Sequence, residues 1–402
     1  MLTMQRKLRS LFVMLTFAVA ALVLPGCVPT TWLPDSSGFV YVRPTKAKNA
    51  GDPPSGELLH YDLKTKTARV VVKYIGQGTM WPAVSGDGKR IAVSKFKVGN
   101  DKAKSVQFVI YDMQGKQVKQ SKEFVWFAGK VEGFVFSTPG MLFWSPKADM
   151  IVVTDNSETA IYNVAADTLK VLEKTVPAIH GGSPIRPDGK GFLAVISNKA
   201  VIANKDKNKS RLVFMDWTGV EHRIDTTPFD KTLEAAAQGK KKDDAGGPFA
   251  MSIMFPSGWD GNTAWVGFRR EKLTWQVDTV KDTASISDKL AAMLIADKKG
   301  EPLRYDFPGD ISVHVTGFEE ALPDNKGAKA FNKVVIVNHK TGKEEVVMAK
   351  APGAALFVPS PDGNFVNIGL GDVRSPEPAP MHLLVISKQG TVHSKLVVDP
   401  TK

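Results

Sequence analysis

Between Trp32 and Val398 the apolar positions fall in short runs, each bounded by a cluster of Pro, Asp, Gly, Ser or Asn. One unit recurs: an apolar or aromatic stretch, a polar turn, then a β-branched run. The first copy is Trp32-Leu33-Pro34-Asp35-Ser36-Ser37-Gly38 before residues 39–42. Ser85-Gly86-Asp87-Gly88-Lys89, Ser145-Pro146-Lys147-Ala148-Asp149, Pro187-Asp188-Gly189-Lys190 and Pro361-Asp362-Gly363-Asn364 precede further runs, and Trp259-Asp260-Gly261-Asn262 is a looser copy. Asp-Gly between apolar runs is a strong hairpin signal. A second unit follows each turn, an apolar strand closed by a small polar residue. Its seven copies end at Asp62, Asp112, Asn163, Asp216, Asp297, Asn338 and Ser387. Such side chains bond the backbone two residues on and start a turn, so their role is structural. Successive copies lie 50, 51, 53, 81, 41 and 49 residues apart, which predicts an insertion near residues 226–250.

Two turn-linked strands followed by two more make the four-stranded blade of a β-propeller. The chain is therefore expected to be all-β, with seven blades whose third strands end at the seven polar residues. Six blades stay open as an alternative, because residues 319–332 lack a clean Pro-Asp-Gly turn; residues 311–315 are read as the inner strand of that sixth blade. The paired units resemble the Tol-B-like and WD-repeat-like propeller families, whose repeats read Ser-Pro-Asp-Gly-Lys, an apolar strand, then Tyr-x-x-Asp. The resemblance implies fold and not activity, since such blades host unrelated functions.

The N-terminus reads as an address. Arg6, Lys7 and Arg9 precede an apolar run over residues 11–24, and residues 1–26 hold no acid. That is the n-region and h-region of a signal peptide. Fourteen residues make a helix of roughly 21 Å, short of the ~30 Å hydrocarbon core. Leu24-Pro25-Gly26-Cys27 follows directly and resembles the lipobox of bacterial lipoproteins. The resemblance implies cleavage after Gly26 and a diacylglycerol on Cys27, making residues 1–26 a lipoprotein signal peptide and 27–402 a single propeller domain. Val28 after the cysteine, where an Asp would signal inner-membrane retention, points to the outer membrane facing the periplasm. An ordinary secretory signal with one cysteine near its end is the simpler alternative.

Lys and Arg number 53 against 41 Asp and Glu, and the three bases before Gly26 are a small part of that excess. A basic balance suits anionic surfaces without selecting one; export speaks against nucleic acid. The single Cys excludes an internal disulfide, and no two of the seven His have metal-ligand spacing, so no metal or cofactor is expected. His180, His222, His314 and His382 are candidates to meet at a channel mouth, with packing or surface roles as the alternative. No Gly-x-Ser-x-Gly, His-Glu-x-x-His, Walker or dinucleotide motif is present.

Blade order puts the tight turns on one face and the long connections on the other, among them residues 123–140 and 269–290. Lys102, Lys104, Lys205, Lys207, Lys209, Trp126 and Phe127 are therefore the candidate binding-face residues, with core packing as the alternative for the aromatics. Together these readings favour a lipid-anchored, monomeric envelope propeller that is a non-enzymatic binding or assembly platform for a protein or an anionic envelope polymer. The alternative is an enzyme or solute binder acting on an envelope carbohydrate or anionic polymer at the central channel.

Overall fold

The computed structural model describes residues 30–45, 55–73, 75, 81–98, 104–126, 141–154, 159–172, 175–177, 183–197, 210–227, 255–267, 274–287, 293–294, 303–307, 309–321, 328–352, 354–371 and 380–399. These form seven antiparallel sheets, each from strands consecutive in the chain. We letter the four repeating strands of each sheet A to D. The first sheet is Thr30–Trp32, Gly38–Thr45, Ser55–Asp62 and Thr67–Val72. The second is Ala83–Val84, Arg90–Val98, Lys104–Asp112 and Gln117–Gln120, with Phe124–Trp126 added beside strand C. Met141–Trp144, Met150–Thr154, Thr159–Asn163 and Thr168–Leu172 make the third; Thr175–Pro177, Gly191–Ser197, Ser210–Asp216 and Glu221–Arg223 make the fourth. The fifth is Phe255–Asp260, Thr263–Gly267, Thr274–Asp278 and Thr283–Ser287. In the sixth, Met293–Leu294 precedes Leu303–Asp306, Ile311–Ala321, Ala328–Asn338 and Lys343–Pro352. The seventh is Ala354–Pro359, Phe365–Gly371, Met381–Ser387 and Val392–Val398.

The A strands of neighbouring sheets approach one another. Thr31 Oγ1 donates to Pro82 O at 2.6 Å, and Trp81 makes a parallel bridge to Met141. D strands form the rim; the one in the fourth sheet is exposed throughout. Strands B and C are apolar on both sides where a sheet packs between two others, which is why they read as continuous apolar runs rather than alternating ones. Val40 and Leu58 of the first sheet meet Ile91 and Val109 of the second. Phe108 of the second stacks on Tyr162 of the third at 4.2 Å and 15°. Ile161 meets Phe192 and Val213 of the fourth, and Val313 and Ile336 of the sixth meet Phe357 and Ile368 of the seventh. Burying each such side chain contributes about 1.5–3 kcal/mol relative to exposure.

The last sheet packs on the first, with Leu383 and Val385 against Trp32, Phe39 and Tyr61. This is a β-propeller. Among the described residues neither terminal sheet borrows a strand from the other, and side chains join the two. Trp32 Nε1 donates to Val358 O at 2.9 Å, Asn367 Nδ2 donates to Thr30 Oγ1 at 3.2 Å, and Tyr61 OH is hydrogen-bonded to Ser394 Oγ.

Strand D begins five residues after strand C ends in every sheet. The last residue of strand C caps that turn each time: Asp62 accepts from Thr65 N, Asp112 from Gln114 N, Asn163 from Ala166 N, Asp216 from Thr218 N, Asp278 from Val280 N, Asn338 from Thr341 N, and Ser387 Oγ from Thr391 N. A residue with positive φ completes each turn, Gly115, Gly219, Gly342 or Gly390 in four sheets and Lys66, Asp167 or Asp282 in the others. The A–B turn lies beside it, so that Leu63 N donates to Ser37 O, Val164 N to Asp149 O, Thr279 N to Asn262 O, His339 N to Asp310 O and Lys388 N to Asn364 O.

Three expectations need correction. The fifth strand C ends at Asp278, not at Asp297, which lies outside the described residues; the spacings through Asp278 are 62 and 60 residues. Residues 269–290, read as one long connection, contain strands C and D of that sheet. Residues 311–315 belong to strand B of the sixth sheet, because Leu303–Asp306 takes the A position and pairs with it. Strands B and C there are 11 residues each, so this hairpin continues past its neighbours toward the long-loop face.

Candidate functional site

The propeller has two ends with different chemistry. All the A–B and C–D turns described above crowd one end. At the other, the segments joining strands B and C, residues 46–54, 99–103, 155–158, 198–209, 268–273, 322–327 and 372–379, lie outside the described residues. Lys102, Lys205, Lys207, Lys209 and Phe127 fall outside them too, as do Gly26, Cys27 and the whole of residues 228–254. Two of the expected binding-face residues are placed and brought together: Lys104 opens strand C of the second sheet and stands in register with Trp126. Their neighbour Phe124 packs edge-on against Tyr162 at 5.9 Å, so that part of the aromatic stretch is core.

Some of the basic excess is structural. Arg69 Nη2 donates to Met113 O at 2.6 Å, Lys119 Nζ to Val164 O and Lys170 Nζ to Thr218 O. Each cation is the third residue of a D strand, and each carbonyl lies in the C–D turn of the next sheet. These clasps tie successive sheets at the rim, where a reading from charge alone assigns lysines to an anionic ligand.

Of the four histidines expected at the channel mouth, His180 lies outside the described residues and His382 is on strand C of the seventh sheet. His222 lies on an outer D strand, tilted on Phe214 at 6.2 Å. His314 instead meets His339, a residue that sequence reasoning did not single out. The sixth sheet has an apolar face built from Tyr305, Val313 and Ile336, packed on the seventh sheet. Alternation along the strands sends Arg304, Asp306, Ser312 and His314 to the opposite face. Register puts Arg304 beside His314 and Asp306 beside Ser312. On strand B, Ser312 and His314 are two apart and share a face, while His339 follows Asn338 into the C–D turn. Ser312 Oγ is fully buried and lies 2.8 Å from both His314 Nε2 and His339 Nε2. Arg304 Nε holds Asp306 Oδ1 at 2.6 Å. A Ser-x-His pair opening a strand, with a His just past its partner strand, was the available signal; only the register joins the two.

Burial depresses the pKa of His60, His314, His382 and His393 below the ordinary histidine value. Hydrogen bonds hold several turn aspartates below the usual carboxylate range: the Ser37 hydroxyl at Asp35, the Thr65 N–H at Asp62, the Ser85 hydroxyl at Asp87 and the Lys281 N–H at Asp278. The unfolded histidines take up protons from about pH 6.5 downward while the folded ones stay neutral, so stability falls as pH drops below that value. A second loss begins below about pH 3.9, where unfolded aspartates protonate, and continues through the lower folded values. Thermal unfolding followed by circular dichroism from pH 8 to pH 3 should show both steps. A constant midpoint between pH 7 and pH 5 would contradict the histidine part.

No family model and no curated protein matches the sequence. Similar solved structures include the β-propeller domain of the Trilobed protease from Pyrococcus furiosus, 11% identical over 93% of this chain and 98% of that one, TM-score 0.44. TolB from Acinetobacter baumannii is 14% identical over 89% and 79%, TM-score 0.33. Porphyromonas gingivalis dipeptidyl peptidase 4 is 10% identical over 92% and 59%, TM-score 0.44. Likenesses of this size say nothing of activity, and the fold class stands on the sheet topology itself.

Proposed function

We propose that the chain is a lipid-anchored propeller of the bacterial cell envelope, serving as a non-enzymatic platform that binds a protein or an anionic envelope polymer. The observation that carries this reading is the position of Leu24-Pro25-Gly26-Cys27, three residues before the first strand. Thr30 opens strand A of the first sheet, next to the axis, and is buried and bonded to Asn367. An extended chain spans at most ~3.6 Å per residue, so a lipid on Cys27 sits within about 11 Å of Thr30. Strand A starts at the end of the propeller that carries the B–C connections. That end therefore faces the bilayer, with the segments bearing Lys102, Lys205, Lys207 and Lys209 and with Lys104 beside Trp126. Each basic residue near an anionic surface is worth about 1 kcal/mol. Diacylglycerol with a further acyl chain anchors stably, where one chain holds marginally. The opposite end, knitted from short turns, then faces away from the bilayer.

Labelled palmitate is expected to enter the wild-type chain and to be absent from Cys27→Ser, which should also leave the membrane fraction. Equal labelling of both chains would refute the anchor. Cross-linking in cells with a photoreactive residue at position 104, compared with one in the C–D turn at position 114, then reports which end meets membrane and which meets protein.

A further inference from the structure

We infer that His314 and His339 form a two-imidazole site for a divalent transition metal of the Cu(II), Ni(II) or Zn(II) class. The inference stands independently of the lipid anchor. Both Nε2 atoms face one point, each 2.8 Å from Ser312 Oγ, so they are separated by no more than twice that distance. Two metal–imidazole bonds of about 2.0–2.1 Å each require the nitrogens to lie within about 4.2 Å of one another, and imidazole suits these three ions. Any movement this requires falls to His339, which is exposed, while His314 is half-buried on a strand paired on both sides.

The hydrogen bonds do not by themselves call for two imidazoles. A serine hydroxyl has one proton to donate, so it satisfies one Nε2 lone pair; the other ring must present N–H to the same oxygen. A metal would engage both lone pairs and leave the hydroxyl to a metal-bound water. The frame is rigid: His339 N donates to Asp310 O at 2.7 Å, and Arg304 on one side and Val335 on the other stand in register with His314. Charge of both signs surrounds the pair. Arg304 is engaged by Asp306, and Glu344 lies in the cross-strand row of Asp306, Ser312 and Val337, on the face that carries His314.

The full-length chain purified in detergent would be titrated with Cu(II), reading stoichiometry by calorimetry and ligand nitrogens by electron paramagnetic resonance. Wild type is expected to bind one equivalent more tightly than its remaining histidines do, with a signature of two nitrogen ligands. His314→Gln and His339→Gln should each weaken that equivalent by more than the ~10- to 100-fold that loss of an outer partner costs, and leave at most one nitrogen. Ser312→Ala should keep both nitrogens, and His222→Gln should behave as wild type. His339 is exposed, so its variant serves should His314→Gln fail to fold. Binding unchanged in His339→Gln, or a one-nitrogen signature in wild type, would overturn the site and leave a hydrogen-bonded cluster only.

Discussion

Replacing Trp32 with alanine is expected to lower the unfolding free energy by about 3–5 kcal/mol, the usual range for removing a buried tryptophan. Domains are stable by only about 5–15 kcal/mol, so this is a large fraction. The indole is 6% exposed, stacks on Phe365 with centroids 6.3 Å apart and meets Phe39 edge-on at 5.3 Å. It thus joins the first sheet to the seventh, which exchange no strand among the described residues. Hydrogen exchange should therefore show Gly38–Thr45 and Phe365–Gly371 losing protection ahead of Met150–Thr154. Trp32→Phe keeps the ring contacts but loses the bond to Val358 O, and should cost about 0.5–1.5 kcal/mol beyond its smaller area. A loss spread evenly over all sheets, or one below 1 kcal/mol for alanine, would mean that the ring is closed by other contacts.

Gly115→Ala should be nearly as damaging, by about 2–6 kcal/mol, because two penalties add. Gly115 has φ +87°, where a side chain stores about 1–3 kcal/mol, and an added Cβ would overlap the backbone oxygen of Val71 in the first sheet. Backbone cannot rotate away, so overpacking adds a further ~1–3 kcal/mol. Gly219→Ala separates the two. Its φ is +80°, but the nearest atom to an added Cβ is Lys170 Nζ at 2.7 Å, the end of a flexible side chain. Urea denaturation of both variants should place Gly219→Ala well above Gly115→Ala in stability. Equal losses would assign the whole effect to backbone conformation and none to the junction between the sheets.

Local chemistry was legible where it is closed within a few residues. The cap at Asp62, Asp112, Asn163, Asp216, Asn338 and Ser387 needs only a side-chain oxygen and amides two to four residues on, so pattern alone locates it. The same logic failed at Asp278 because the apolar pair Ile295-Ala296 before Asp297 offered a false copy. In the sixth sheet the cap at Asn338 is legible, but the long B and C strands hide which strand is inner. Thus the amino-acid sequence by itself determined the all-β class, the four-strand repeat and the polar residue that stops each third strand, since these rest on alternation and on turns of a few residues. The tertiary structure alone decided which sheet closes on which, through Trp32 and Val358, 326 positions apart. It also decided that Arg69, Lys119 and Lys170 clasp the next sheet, and that His314 and His339 share one hydroxyl. In each of those cases the partner lies on another strand or another repeat, and only packing sets the distance.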